Sequence, residues 1–151
     1  MEIRYNNFNI NNKDIFYKTM KGEDLDLINL RLSDFKNFQI NYPNTEIGIL
    51  YKNQDAIGHI IFVDIDRDNQ VIEDFWINKK YRNKGYGKVF LSTHIAEMKK
   101  HKKIKHILLK TIFNNQMVAV KKLYLNLGFE VIEKKDDVVT LIYSYIKHFN
   151  G

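Results

Sequence analysis

The chain has no cysteine among its 151 residues. That excludes disulfides, thiolate metal sites and a cysteine nucleophile, so any group transfer must be direct or use another side chain. No run approaches the roughly 18 apolar residues of a membrane span. The first residues, Met1 to Asn7, lack an apolar signal-peptide core, so the expected location is the cytoplasm. The five histidines show no His-Glu-x-x-His spacing, and no metal is expected. There is no Gly-x-Ser-x-Gly nucleophile elbow. Asp64-x-Asp66-x-Asp68 has the start of a calcium loop, but the sixth position is Asn69 and the twelfth Phe75, where glycine and glutamate are needed. Proline is nearly absent too, with Pro43 alone. No linker, internal repeat or low-complexity segment divides the chain, and its length suits one domain spanning residues 1–151.

What is present is a soluble-type balance of apolar and charged residues with a net charge of +6. That charge suits an anionic ligand, but equally a nucleic acid or a solvated surface. Many lysines gather at 99–105, where they read as a solvated helix end near the negative pole of its dipole.

The periodicity predicts alternating elements. Residues 1–14 read as an edge strand or a loose arm, and Ile15–Met20 as a short strand. A helix follows, with Asp24 as N-cap and Leu25, Ile28, Leu32 and Phe35 on one face. Strands at 46–51, 56–64 and 71–77 form an antiparallel meander. Helix 86–101, strand 105–113, helix 116–127 with Gly128 after it, and strands 129–133 and 138–146 complete the order.

The meander ends in Arg82-Asn83-Lys84-Gly85-Tyr86-Gly87-Lys88. A strand runs into a basic turn with two glycines, and the turn opens a helix. Glycine permits positive φ and close approach of a ligand. The helix start offers free N–H groups and a positive dipole end. This is a cradle for a phosphate-bearing ligand. It is not a Rossmann fingerprint, because position 90 is Phe90, nor a P-loop, because Lys88 is followed by Val89 and the upstream glycine is missing.

Arg82-x-x-Gly85-x-Gly87-Lys88 after Phe75-Trp76-Ile77 resembles motif A of the GNAT superfamily of acetyl-CoA-dependent N-acetyltransferases. Leu123-Tyr124-x-x-x-Gly128-Phe129 resembles the family's second landmark, and the likeness runs from about Ile15 to Ile146. It implies an α/β (α+β) GNAT fold, a central mixed, mostly antiparallel sheet splayed between strands 4 and 5 and flanked by helices. It implies acetyl-CoA as co-substrate, with pantetheine along Phe75, Trp76 and Ile77 and pyrophosphate on Arg82, Asn83, Lys84, Gly85, Tyr86, Gly87 and Lys88. Ile77 N–H would be the oxyanion donor. Ile72-Glu73-Asp74-Phe75 resembles a strand of polyamine-type acetyltransferases and implies Glu73 as base. Asp74, alternating to the other face, is not expected to share that role. Tyr124 is implied as the acid for the leaving thiolate.

The family often has an asparagine seven residues before that tyrosine. Here Met117 stands there, and Asn115 is the candidate cofactor contact instead. The implied acceptor is a primary amine, with a lean toward small cationic amines; an amino acid derivative or a peptide or protein amine is also open. Its pocket is expected from residues 25–45 and the last strands. Phe35, Phe38 and Tyr42 either line it or pack, and packing is the preferred reading. No membrane or nucleic-acid partner is expected, and a homodimer is left open. The alternative is a catalytically silent domain that binds acyl-CoA as a sensor or scaffold.

Overall fold

The computed structural model describes residues 3–9, 13–112 and 118–146. β1 (Ile3–Asn9) is an edge strand. Helices α1 (Lys13–Thr19) and α2 (Leu25–Asn41) follow. Strands β2 (Glu46–Lys52), β3 (Asp55–Asp64) and β4 (Asn69–Ile77) form the antiparallel meander. Helix α3 (Tyr86–His101), strand β5 (His106–Ile112), helix α4 (Val118–Asn126) and strands β6 (Glu130–Lys135) and β7 (Val138–Ser144) complete the chain. The sheet order is β1-β2-β3-β4-β5-β7-β6, and only β4 and β5 run parallel.

One expected element is corrected. The Ile15–Met20 segment is not a strand but most of α1 and the turn after it. Ile15, Phe16, Thr19 and Met20 are buried while Tyr17 and Lys18 are exposed. That is a helical period, which lets the segment pack one stripe against the sheet; a strand would have alternated. The first strand lies upstream, where an edge strand was one of two readings. Asp24 does cap α2, accepting the N–H of Asp26 at 2.8 Å. Leu25, expected on the buried face, is exposed.

The sheet is covered on both faces. Phe62, Ile72, Phe90, Leu91, Met98, Leu109, Tyr124 and Leu141 form one core beneath α3 and α4. Phe16, Met20, Phe35, Ile47, Ile49, Ile61 and Trp76 form the other beneath α1 and α2. Double burial explains why β2 and β3 read as nearly unbroken apolar runs. The carboxylates at 64, 66 and 68 have structural partners. Asp66 accepts the N–H groups of Asp68 and Asn69 and so closes the β3–β4 turn. Asp64 binds Lys102 at 2.7 Å, and Glu46 binds the same ammonium. Lys102 thus leaves the solvated lysine cluster and pins the end of α3 to the sheet.

A buried polar chain crosses the first core. Gln70 Nε2 donates to Asp64 Oδ1 at 2.9 Å, which turns its Oε1 toward His94 Nε2 at 2.7 Å. The Tyr5 hydroxyl then donates to His94 Nδ1 at 2.7 Å. His94 is fully buried, and burial drops it from 6.5 to about 3, with the charge of Lys102 adding to the effect. The unfolded chain therefore takes up a proton that the native state refuses as pH falls below 6.5. Stability held above that value should fall by about 1.4 kcal/mol per pH unit between pH 6 and 4.5. Urea titrations across that range should show this slope, and His94→Asn should lack it.

Candidate active site

β4 pairs with β5 only from Asn69–His106 to Ile72–Leu109, although both strands continue. Beyond that point β5 stays with β7 and β4 stays with β3. The register of β4 on β3 shifts at the same place. Phe62 faces Ile72 and Ile61 faces Asp74, so Glu73 is the extra residue of a β-bulge. The result is a cleft of about 700 Å³ between the two strands, walled by 72–77, 109–111 and the start of α3, with α4 at its side.

The bulge also corrects the expected alternation. Ile72 and Phe75 both pack toward α3, three residues apart. The two residues between them, Glu73 and Asp74, therefore share the opposite face, and both line the cleft.

Backbone groups on β4 follow from its pairing. The Asn78 N–H donates to Ile57 O at 2.8 Å, on the β3 side. Successive peptide groups alternate, so Trp76 turns to β3, whereas Phe75 and Ile77 turn toward the edge that β5 has left. The Ile77 carbonyl is met there by Arg82 Nε at 2.8 Å.

At the end of the cleft the chain makes a short 3₁₀ turn at Lys79–Tyr81 and enters α3. Asn83 has φ 60° and Gly85, the N-cap, φ 85°. No side chain caps α3, so its first turn is open to a ligand. A Cβ at Gly85 would meet nothing within 4 Å, and one at Gly87 would stand 3.5 Å from Leu123 and 3.8 Å from Phe75, both cleft walls. Of the residues predicted from this loop, Arg82, Asn83, Gly85, Tyr86, Gly87 and Lys88 line the cleft. Lys84 is exposed and is not among them. Arg82 is turned back, stacked on the Trp76 ring at 4.2 Å and 3.9 Å from Glu23. Asn115 lies outside the described residues.

Glu73 is half-buried, and burial raises its pKa, with Lys110 on the opposing wall pulling it down. Tyr124 sits on α4 with its ring edge-on to Phe75 at 6.4 Å. Its hydroxyl makes no hydrogen bond to another described residue. Burial and the charge of Asp74 push it up to about 12.

Sequence reasoning missed Arg31. It interrupts the apolar stripe of Ile28, Phe35 and Phe38 on α2, a signal available in the spacing. Its guanidinium lies over Trp76 at 4.1 Å and binds Asp74 Oδ1 through Nη1. The other Asp74 oxygen takes His59 Nε2 at 2.9 Å. Thr19 Oγ1 gives its proton to the Phe16 carbonyl at 2.7 Å and so accepts from His59 Nδ1 at 2.8 Å. Both ring nitrogens thus lie within hydrogen-bond distance of a side-chain oxygen. Burial of Asp74 would raise its pKa, but the hydrogen bond and charge of His59 and the Arg31 guanidinium outweigh this and hold it at about 2. Phe35 and Phe38 pack in the second core, as preferred, and Tyr42 is exposed; none lines the cleft.

The sequence profile of the acetyltransferase (GNAT) family matches residues 13–129. The chain belongs to that family. No curated protein matches its sequence. Solved structures resemble this GNAT acetyltransferase closely in fold. A Staphylococcus aureus GNAT-family acetyltransferase aligns with TM-score 0.68 and 22% identity, covering 95% of this chain and 99% of its own. The Campylobacter jejuni N-acetyltransferase PseH, solved with acetyl coenzyme A, gives 0.68 and 18%, covering 95% and 99%. The Thermoplasma acidophilum PaiA N-acetyltransferase, solved with coenzyme A, gives 0.69 and 16%, covering 96% and 100%.

Asp74→Asn should leave the Arg31 guanidinium without its counter-charge and cost about 3 kcal/mol at pH 7. Because the native carboxylate sits below the unfolded value of 3.8, the stability it brings is present above that pH and lost as pH falls toward 2. Urea denaturation at pH 7 and pH 3 should show the variant's deficit shrinking at the lower pH.

Proposed function

We propose that this protein transfers an acetyl group from acetyl-CoA directly to a primary amine of a small molecule or peptide. The observation that supports this reading best is the gap between β4 and β5. It places a half-buried carboxylate, a protonated phenol without a hydrogen-bond partner among the described residues and an uncapped helix start along one cleft.

The cleft suits an extended donor with an anionic head. The open first turn of α3 at Gly85, Tyr86, Gly87 and Lys88 would hold a pyrophosphate on N–H groups and the dipole. Asn83 and Lys88 stand beside it, while Lys84 and Arg82 lend charge from further off. The outward peptide groups of Phe75 and Ile77 would pair with the pantetheine amides, as a strand would. Asn115 stays a candidate contact. Acetyl-CoA supplies the acyl thioester.

The chain's own groups then divide the proton work. Glu73 takes a proton from the acceptor ammonium, directly or through water, and its raised pKa suits it to that task. The Ile77 N–H would donate to the thioester carbonyl oxygen as the amine attacks. The Tyr124 hydroxyl, protonated throughout the physiological range, gives its proton to the leaving sulfur.

Three measurements test the reading. Tyr124→Phe should lower kcat about 100-fold or more while CoA affinity by calorimetry changes little. Unchanged turnover would return Tyr124 to core packing. In Glu73→Gln the acid limb of the pH–rate profile, placed above 4.5 in the parent by the raised pKa, should disappear. Gly87→Val projects methyls into the cleft from a position without positive φ, so the domain should stay folded and lose CoA binding. Tight CoA binding by the parent with no thiol release from any amine would favour the silent domain instead.

A further inference from the structure

We propose that the acceptor is a small primary amine that also carries an anionic group, a carboxylate or a phosphate, and that Arg31 binds that group. This rests on the acetyltransferase reading and narrows it away from polyamines.

Polyamines need an acidic partner for each ammonium. By sequence alone, Glu73 and Asp74 look like such a pair, and the bulge does set both on the acceptor-facing side of β4. Asp74, however, is already engaged on both oxygens, by Arg31 and by His59. A further ammonium there would have to displace a stacked guanidinium or a buried ring. Among the described wall residues, Glu73 is then the carboxylate left to meet a cation, and one carboxylate matches one amine.

The rest of the lining carries the opposite charge. Besides Glu73 and Asp74, the charged wall residues are Arg31, Arg82, Lys88 and Lys110. Arg31 and Arg82 both lie on the Trp76 ring, but Arg82 is also drawn to Ile77 O and Glu23. Arg31 is bound to Asp74, next in the chain to Glu73, and Lys110 faces Glu73 from the other wall. Lys110 is close enough to lower the pKa of Glu73. Arg31 keeps a quarter of its side chain exposed, and its stacking on Trp76 fixes the plane of its donor fork. A guanidinium held flat, with only its Nη1 bound to Asp74, matches the oxygens of a carboxylate or phosphate. An amine on Glu73 and an anion on Arg31 make a zwitterionic acceptor complementary to the site.

The test uses matched pairs on the whole chain. The panel comprises amino acids with their decarboxylated amines, phosphoethanolamine with ethanolamine, and spermidine. Thiol release gives kcat and KM, and calorimetry on CoA-loaded protein gives affinity independently of turnover. The anionic member of at least one pair should show a tenfold or greater advantage in kcat/KM and in affinity. The carboxylate and phosphate arms identify which anion is read. Arg31→Met should erase that advantage, read as the ratio of kcat/KM between paired acceptors, and Arg31→Lys should restore it in part. A preference for spermidine or for the neutral partners in the parent protein would overturn the proposal without any variant. So would an Arg31→Met protein that folds and keeps the anionic preference. If thiol is never released but the binding preference is seen, the enzyme reading fails and the charge reading stands.

Discussion

Everything at this site depends on a parallel pairing that stops early. Backbone N–H and C=O groups are expensive to leave unmet away from water. β4 and β5 satisfy one another as far as Ile72 and Leu109 and then separate. Past that point the outward peptide groups of Phe75 and Ile77 have no strand beside them among the described residues. Arg82 meets one carbonyl. The rest form a sheet edge along the cleft, open to a ligand of strand-like shape. The bulge at Glu73 belongs to the same event, because the extra residue that bends β4 also turns its carboxylate into the gap.

The second organising element is the charge clamp on Asp74. Three segments meet on one carboxylate: β4 carries it, β3 supplies His59 and α2 supplies Arg31. Breaking a partly buried pair of this kind leaves charge without compensation, which costs far more than a surface ion pair ever contributes. The clamp fixes the position of α2 against the sheet and the plane of the Trp76 ring. It therefore shapes the wall of the cleft as much as it stabilises the fold.

Much of this was legible in the residues. The glycine spacing at 85 and 87, with a strand before it and a helix after, located the α3 loop. Tyr124 and Gly128–Phe129 located the second landmark. The misread segments share a cause. Ile15–Met20 is rich in residues that favour strands, and its helical burial is imposed by packing on the sheet. Strict alternation failed at Glu73 and Asp74 because a bulge leaves no compositional mark without a glycine. Arg31 was overlooked because a lone charge on an apolar stripe gains meaning only when its partner, 43 residues away, is brought beside it.

α3 is fastened well away from its N-terminus. Lys102, just past its end, is bound to the sheet by Asp64 and Glu46. His94, in its middle, is held between Tyr5 of β1 and Gln70 of β4. The open turn at Gly85–Lys88 is thus the free end of a beam clamped at two points. A ligand docking there meets donors already aimed, and little of its binding free energy goes into ordering the helix. The edge strand β1, which does not line the cleft, thereby braces the helix whose first turn forms the cleft's end.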